Sequence, residues 1–452
     1  MSMSSEALTS STNSPNSLTL TPDQEKAITA LYESNVLIVA KMGGGKTVIA
    51  ATAITELLKD QELTRVLIVT TPKIANTVWK QEFQKWGHTN GVSVGVATGN
   101  PDERLSVLKD KSFQVCVITF NVLPWAKKEK IFSLFDGLLI DETTKLKETG
   151  GAGFKALRPH LKKFKWRGGL TGTPVNEDFL GLFGQIMLID AGLSLGTRKE
   201  SFLNKYFFPT DYKQYNWELK QGAEKQLLDA IRSCVHVMPE YRGELPPIEY
   251  NPVLLSMPSS LVDYYQKMKK DMITKDAVSQ TAAVLSQKLQ QITSGFVYDE
   301  LGDAVFLSDY RVNALKDLLQ TIGGNTLIAY WYKEDFERLK NALPDAQELN
   351  PRNLTEVVEK WNRGEIKHLL IHPRSAGHGL QLEQGGYNLV WYSPVWSNDL
   401  WEQTNARLWR RGQKHTVRIH TLQASGTIDE IISQRVESKS EFDKLFSLHL
   451  GA

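Results

Sequence analysis

The chain of 452 residues carries 53 Lys and Arg against 51 Asp and Glu, and 41% of its residues are hydrophobic. This length predicts two or three domains with sizeable cores, and the balanced charge excludes a global basic field, so that any nucleic-acid site must be a local groove. No apolar run is long enough for a membrane span, and the distant cysteines Cys116 and Cys234 predict buried thiols in a reducing compartment instead of a disulfide or zinc site.

Residues 1–17 are rich in Ser, Thr and Asn and resemble neither a signal nor a transit peptide, so we predict a disordered tail. Helical spacing follows over 18–32. The stretch 35–47, NVLIVAKMGGGKT, then joins a buried strand to a helix through glycines, with Lys46 and Thr47 at the helix start. This order is typical of a P-loop, in which backbone N–H groups and the lysine hold phosphates and the threonine hydroxyl ligates Mg²⁺.

Further apolar runs predict strands that, with the intervening helix-like segments, indicate a parallel α/β sheet: 65–71, 114–120, 137–142 and 167–173. Residues 175–245 are predicted to be mostly helical. Pro246 and Pro247 mark a linker, and long helices are predicted over 259–293. A second strand series predicts a second α/β sheet without a P-loop: 326–332, 368–373, 389–394 and 417–422. We therefore expect two lobes, 18–245 and 246–452, with a nucleotide between them.

Two carboxylates end the fourth predicted strand of the first lobe, 137–142. In this Walker B position Asp141 would hold Mg²⁺, and Glu142 would orient and deprotonate the attacking water. The run 170–174, LTGTP, ends the next strand, and its hydroxyls are suited to bond a Walker B carboxylate.

The second lobe contains a run of Gln and Arg residues on a predicted helix. Spacings of four and three place Gln403, Arg407 and Arg410 on one face, which would point at the γ-phosphate as arginine fingers do. The neighbouring tryptophans are predicted to pack in the core of this lobe: Trp396, Trp401 and Trp409.

In this order, the motifs resemble those of superfamily 2 helicases, and most of all the SNF2-type DNA translocases of compact phage and bacterial type. LTPDQ resembles the Q motif, AKMGGGKT motif I, LIVTTPKIANTVWKQEFQKW motif Ia, LTGTPVNE motif III, HPRSAGHGLQLEQGG motif V and WEQTNARLWRRGQK motif VI. DETTKLK departs from the family pattern, because Thr143 and Thr144 stand where Ala-His is expected.

The resemblance implies two RecA-like parallel-sheet lobes with an interlobe ATP cleft and helical insertions. The implied catalytic residues are Lys46, Asp141, Glu142, Gln403, Arg407 and Arg410. The implied nucleotide-binding residues are Gln24, Met42, Gly43, Gly44, Gly45, Lys46, Thr47, Gly379, Arg407 and Arg410. Mg²⁺ would be held by Thr47 and Asp141. The implied DNA backbone contacts are Pro72, Lys73, Thr98, Gly99, Thr173, Arg374, Ser375 and Gly377.

We therefore predict an ATP-dependent DNA translocase or helicase, a monomer in a bacterial or phage-infected cytoplasm, that remodels forked or branched DNA in recombination, repair or replication. Two alternatives stay open: an RNA helicase or RNA-dependent ATPase, and a DNA-stimulated ATPase that moves on duplex or strips proteins without unwinding. A non-catalytic clamp is disfavoured because the acidic pair and the arginines are present. The segment 202–220 interleaves aromatics with lysines, which fits helical packing after motif III or, less well, base stacking at a fork.

Overall fold

The computed structural model describes residues 20–41, 43–175, 179–239, 245–273, 280–350, 353–374, 380–410, 412–436 and 450. The chain divides into two units, Met1–Glu240 with Leu445–Ala452, and Tyr241–Lys444. The limits predicted for the two lobes and for the N-terminal tail stay predictions, and the tail lies outside the described residues.

The helices of the first unit are α1 (Pro22–Glu33), α2 (Lys46–Lys59), α3 (Pro72–Thr77), α4 (Trp79–Lys85), α5 (Pro101–Lys109), α6 (Leu123–Lys128), α7 (Ala152–Leu157), α8 (Leu182–Asp190), α9 (Lys199–Tyr206) and α10 (Ala223–Ile231). Its strands are β1 (Val36–Val39), β2 (Val66–Thr70), β3 (Val94–Val96), β4 (Val115–Thr119), β5 (Gly137–Asp141), β6 (Trp166–Thr171), β7 (Phe207–Pro209), β8 (Trp217–Leu219) and β9 (Val235–Val237). Short 3₁₀ turns lie at Phe120–Val122, Ile131–Leu134, Thr143–Leu146, Arg158–Lys163, Phe179–Gly181 and Arg232–Cys234.

In the described part of this unit, seven strands form one sheet in the order β3-β4-β2-β5-β6-β1-β9, and each neighbouring pair is parallel. Strands β1, β2, β4 and β6 are buried along their whole length. Helices cover both faces of such a sheet, which is why its strands are continuous apolar runs that the sequence shows plainly.

The region predicted as mostly helical contains a β-hairpin. Strands β7 and β8 pair antiparallel between α9 and α10, and β9 then adds an edge strand to the main sheet. The helical prediction was therefore wrong for these segments. Strands of three residues are too short to show a period of two.

The helices of the second unit are α11 (Ser259–Ile273), α12 (Gln280–Ser294), α13 (Tyr310–Ile322), α14 (Lys333–Ala342), α15 (Leu354–Asn362) and α16 (Asn398–Asn405). Its strands are β10 (Ile248–Leu255), β11 (Phe296–Tyr298), β12 (Ala304–Phe306), β13 (Thr326–Ala329), β14 (Gln347–Glu348), β15 (His368–Ile371), β16 (Asn388–Trp391) and β17 (Val417–Ala424).

Six of the described strands of this unit form a second parallel sheet in the order β10-β17-β16-β13-β15-β14. The stretch predicted as a linker becomes strand β10 from Ile248 onward. Pro252 lies within β10, and an edge strand tolerates a proline because one side of its backbone needs no partner. Two parallel sheets with helices confirm the predicted α/β fold class.

Both cysteines, Cys116 and Cys234, are free and buried, as predicted. Within the ranges that the structure describes, no helix is both long enough and apolar enough for a membrane span.

Candidate functional site

The glycine loop predicted to hold phosphate joins β1 to α2. Gly43 and Gly45 have φ of 84° and 79°, in the left-handed region that favours glycine. A Cβ on Gly45 would lie 2.4 Å from Nε2 of Gln24, so a side chain does not fit there. Helix α2 begins at Lys46, directly after this turn. The loop thus places the positive end of α2 at the edge of the sheet, an arrangement that suits an anion.

A second loop, the 170–174 run, meets the glycine loop at Lys46. The Lys46 ammonium donates to the carbonyl oxygen of Ala40 at 2.6 Å. The amide of Ala40 donates to the carbonyl of Thr171 at 3.0 Å, because β1 and β6 are neighbours. A Cβ on Gly172 would lie 3.7 Å from Lys46 Nζ. Two motifs more than 120 residues apart in the chain therefore contact each other here.

Gln24, predicted to contact adenine, lies in the first turn of α1 and packs against the glycine loop. Its Oε1 accepts a hydrogen bond from the backbone N–H of Thr21 at 3.0 Å, and its backbone N–H donates to Thr21 Oγ1 at 3.3 Å. Its Nε2 donates to the carbonyl of Gly44 at 3.3 Å. The side chain thus ties α1 to the loop. Adenine recognition stays a prediction, and Met42 lies outside the described residues.

Asp141 ends β5 beside β2 and is partly buried. Its Oδ2 accepts from Thr70 Oγ1 at 2.8 Å and from Trp79 Nε1 at 3.0 Å. Burial raises the pKa of Asp141 to about 6, with Glu142 adding to the rise, while the two hydrogen bonds and the Lys46 charge lower it. A bound cation would offset the cost of keeping this carboxylate charged, and Mg²⁺ prefers oxygen ligands of this kind.

Glu142 has φ of 80°, which is uncommon for a residue with a side chain. Its Oε1 accepts from Thr144 Oγ1 at 2.7 Å and from Thr171 Oγ1 at 3.0 Å. Within the described residues Oε2 accepts no hydrogen bond. The predicted bond between a hydroxyl of the LTGTP run and a Walker B carboxylate is therefore present, and one carboxylate oxygen stays available for a water molecule.

The two threonines that replace the expected Ala-His pair both make hydrogen bonds. Thr143 is buried and donates to Oε1 of Gln185 on α8 at 2.7 Å. Nε2 of Gln185 in turn donates to the carbonyl of Pro174 at 2.8 Å. Thr144 holds Glu142. The hydroxyl of Thr143 therefore links the turn after Asp141 to α8, and the amide of Gln185 links α8 to the loop after β6.

In the second unit, the prediction that one helix carries Gln403, Arg407 and Arg410 was wrong for the part beyond α16. Gln403 lies on α16, which ends before Arg407. The amide of Arg407 donates to the carbonyl of Thr404, three residues back, and that of Arg410 to Leu408, two residues back. Trp409 still donates to the fourth preceding residue, Asn405, but neither arginine does, so the two arginines lie in successive turns and not on a regular helix.

The two guanidinium groups converge all the same. Nη1 of Arg407 and Nη1 of Arg410 donate to the carbonyl of Leu380 at 3.4 and 3.0 Å. Arg407 is 1% exposed, and its Nε and Nη2 have no hydrogen-bond partner within the described residues. Burial, and then the charge of Arg410, lowers the pKa of Arg407 to about 10. Nε of Arg410 lies 3.7 Å from Oε2 of Glu383. Unpartnered donors on a buried cation are suited to an anionic ligand.

The tryptophans around these arginines pack in the core, as predicted. The rings of Trp401 and Trp391 stack with centroids 4.7 Å apart. Nε1 of Trp409 donates to the carbonyl of Pro246 at 2.9 Å. Trp396 packs against a separate apolar cluster of the same unit.

The predicted DNA contacts of the first unit lie at the ends of strands. Pro72 begins α3, two residues after β2. Thr98 Oγ1 donates to Oδ1 of Asn76 on α3 at 3.1 Å, and Gly99 has φ of 90°. These residues form one surface segment. Thr173 is only 7% exposed and offers DNA the least surface of the set.

In the second unit, Arg374 is exposed, with its guanidinium 4.8 Å from the ring centroid of Trp331. The Trp331 ring also stacks on His372, with centroids 5.2 Å apart. This stack holds the arginine in place at the surface. Outside what the structure describes lie the side chain of Lys73 and all of Ser375, Gly377 and Gly379.

Sequence reasoning missed several partners of the predicted site residues: Thr70, Trp79, Gln185 and Glu383. Thr70 ends the strand beside β5, so its proximity to Asp141 follows once the strand order is known. The order of strands in a sheet is a tertiary property that the motifs do not specify.

The glycine loop, Lys46 and the acidic pair, at the carboxyl edge of a parallel sheet, define a P-loop ATP hydrolase. The model of the SNF2-related domain matches residues 25–297, more than half of the chain. The chain belongs to this family, and the predicted membership is confirmed.

Its relatives include phage and animal proteins. The chain is 29% identical over 432 residues to "Putative protein p41" of Acyrthosiphon pisum secondary endosymbiont phage 1, covering 90% of this chain and 93% of that protein. It is 23% identical to the "DNA repair and recombination protein RAD54-like" of Drosophila ananassae, covering 93% of this chain but only 61% of that protein. A solved structure, the Sulfolobus solfataricus SWI2/SNF2 ATPase core in complex with dsDNA, aligns with 96% of this chain and 94% of that chain at 19% identity and a TM-score of 0.46.

Proposed function

We propose that the protein is a DNA-dependent ATPase that uses ATP and Mg²⁺ to translocate along DNA without sequence preference and to remodel forked or branched DNA. Its lobes would be 18–245 and 246–452, and it would act as a monomer. Its location would be a bacterial or phage-infected cytoplasm, and the similarity to a phage protein supports this location. The observation that carries the proposal is the meeting of Lys46, Asp141 and Glu142 at one edge of the first sheet, each held by hydrogen bonds.

The residues of the first unit fit ATP and Mg²⁺. The left-handed glycines and the start of α2 provide the phosphate cradle, and Lys46 adds a positive charge. Thr47 and Asp141 would hold Mg²⁺, which when bound neutralises charge on the phosphates. Glu142 orients a water molecule and accepts its proton through the free Oε2.

The second unit would stabilise the charge that develops during phosphoryl transfer. Arg407 and Arg410 are the donors, with Gln403 beside them on α16. The open donors of Arg407 support this role, since a buried cation without partners is costly unless a ligand pairs with it. An arginine that docks only in the transition state raises turnover by about 10³–10⁵-fold.

DNA is the proposed substrate for two reasons. The RAD54-like relative is named for DNA repair and recombination. The surface residues at Pro72, Thr98 and Gly99, and the stacked Arg374, are of the kind that contacts a sugar-phosphate backbone, and such contacts carry no sequence information. A motor that moves along DNA requires this lack of preference.

The hairpin β7–β8 supports action on forked or branched DNA. Tyr212 and Tyr215 at its tip are 100% and 81% exposed. The tip is ordered, because Asp211 accepts hydrogen bonds from the amides of Tyr215 and Asn216 at 3.1 and 2.6 Å. Ordered, exposed aromatic rings beside Lys213 are suited to stack on bases where strands part.

The first experiment measures ATP turnover of the whole protein with and without duplex DNA, single-stranded DNA and RNA. We expect the greatest stimulation by DNA, and its loss in Lys46→Ala and Glu142→Gln. Equal rates with and without DNA would refute the proposal. Stimulation by RNA above DNA would favour the RNA-dependent alternative.

A second experiment separates remodelling from translocation alone. A forked duplex and a four-way junction are offered to the wild type and to Tyr212→Ala with Tyr215→Ala. We expect strand exchange by the wild type, and a loss of at least about tenfold in the double variant with duplex-stimulated turnover retained. If the wild type moves on duplex but leaves both substrates intact, translocation without unwinding is the function.

A further inference from the structure

Two hydrogen bonds connect the metal-binding carboxylate to the segment that carries predicted DNA contacts. Thr70 Oγ1 and Trp79 Nε1 donate to the same oxygen of Asp141, at 2.8 and 3.0 Å. Among the described residues, the other oxygen of Asp141 receives no hydrogen bond. The two donors thus fix the rotation of the carboxylate and leave one oxygen open.

Neither donor can turn away without leaving a polar group unpaired in the core. Thr70 and Trp79 are both fully buried. The Trp79 ring packs against Phe83 within the apolar core of the first unit, with centroids 6.3 Å apart. A buried indole N–H needs an acceptor, and Asp141 is its acceptor here. The position of α4 therefore sets the position of this donor.

The segment from Thr70 to Trp79 also carries the proposed DNA surface. It leaves the sheet at the end of β2 and forms α3, whose first residue is Pro72, before α4 begins. Asn76 on α3 bonds to Thr98, so the second predicted contact is attached to the same helix. The chain thus joins α3 through Thr71 to Thr70 and through Val78 to Trp79.

We propose that Thr70 and Trp79 are positioning residues for Asp141, and that they transmit DNA contact at α3 to the Mg²⁺ site. This inference rests on the proposed function, and it assigns the stimulation of turnover by DNA to two named hydrogen bonds. Neither residue touches nucleotide or DNA; each acts through the carboxylate.

The test uses the full chain with Trp79→Phe, which keeps an aromatic ring of smaller size and removes the donor, and Thr70→Val, which replaces the hydroxyl by a methyl group. Thr70→Ser restores the hydroxyl. Trp86→Phe is the matched control, because Trp86 follows the same helix and its indole N–H donates to Glu82 Oε1 at 2.9 Å, not to Asp141.

The first measurement is the affinity for a fluorescent ADP analogue in Mg²⁺ and in EDTA. For Trp79→Phe and Thr70→Val we expect a loss of about 10–100-fold in the Mg²⁺-dependent part of the affinity, as for other partners of metal ligands, with EDTA affinity unchanged. Thr70→Ser and Trp86→Phe should match the wild type. Wild-type Mg²⁺ dependence in both donor variants would overturn the positioning role. Should Trp79→Phe fail to fold, the two Thr70 variants decide the question.

The second measurement is the ratio of turnover with duplex DNA to turnover without it, at saturating Mg²⁺. We expect this ratio to fall at least about tenfold in the donor variants through kcat, with KM for ATP near that of the wild type. If Mg²⁺ affinity falls and the ratio stays, the link to DNA is wrong. If the wild type shows no stimulation, the proposed function fails, while the first measurement still judges the positioning role.

Discussion

Replacing Arg407 by Met should stabilise the second unit and abolish ATP turnover. The guanidinium is 1% exposed, two of its nitrogens have no partner within the described residues, and its one hydrogen bond, to Leu380, is long at 3.4 Å. A methionine fills a similar volume without a charge. The free energy of unfolding should rise because an unsatisfied cation leaves the core.

The magnitude follows from the burial. A pKa lowered from 12.5 to about 10 corresponds to about 3 kcal/mol against the charged form. For a base whose pKa is lower in the folded state, this cost is present at every pH below the folded value, pH 7 included. Loss of the bond to Leu380 costs about 1 kcal/mol, so the net gain is about 2 kcal/mol. The melting temperature of a unit of this size should rise by roughly 4–8 °C.

Arg410→Met is the matched comparison and should change stability in the opposite direction. Arg410 faces Glu383, which is 7% exposed and whose Oε2 has no hydrogen bond in the described part of the chain. Removing its cation leaves that carboxylate unpaired, at a cost of about 1–3 kcal/mol. Both variants should retain nucleotide binding and lose turnover.

The assay is differential scanning calorimetry of the full chain, which separates the transitions of the two units, together with phosphate release. A lower melting temperature for Arg407→Met than for the wild type would refute the reasoning. It would mean that the Arg407 guanidinium already has hydrogen-bond or ion-pair partners in the protein without ligand, so that none of its donors remains for a ligand.

Three further outcomes are expected. Glu142→Gln should bind a fluorescent nucleotide normally and lose about 10²–10⁴-fold in turnover, since the amide cannot accept the proton of water; near-normal phosphate release would contradict its role as base. Thr144→Ala removes one of the two hydroxyls on Glu142 and should lower turnover by about tenfold, with Thr144→Ser restoring it; an Ala variant as active as the wild type would show that this hydroxyl has no role. Burial raises the pKa of Cys116 and of Cys234 to about 11, so both thiols should react with Ellman's reagent at about pH 8 only after unfolding; prompt reaction of the folded chain would contradict their burial.

The sequence was sufficient for the inner strands of the two sheets, because these strands are largely buried on both faces. Runs such as 65–71 and 114–120 are mostly apolar, and they correspond to β2 and β4 almost to the residue. The glycine loop was predictable for a different reason. The backbone at Gly45 is left-handed, a conformation that favours glycine, so the residue type itself indicates the turn.

The errors have a common cause in short elements and tertiary contacts. Strands β7 and β8 have three residues each, and no pattern of period two can be read from so few. No Gly or Pro follows the end of α16 before Arg407, so the sequence contains no helix-terminating residue there. Trp79 was recognised as part of a motif, but its bond to Asp141 spans 62 residues and depends on which strands are neighbours.

The carboxylate groups of the two acidic residues of the site are held in orientation in the same way. Asp141 and Glu142 each accept two donors on one oxygen, while the other oxygen accepts no hydrogen bond within the described residues, and in each case the two donors come from different elements of the first unit. A carboxylate held by one donor can still rotate about its terminal bond, whereas two donors from separate elements fix it. Thr144, which stands where the family pattern has a histidine, therefore supplies one of the two hydroxyl groups that hold Glu142. With the departure from the family pattern at 143–144, Glu142 is held by hydroxyl groups, those of Thr144 and Thr171.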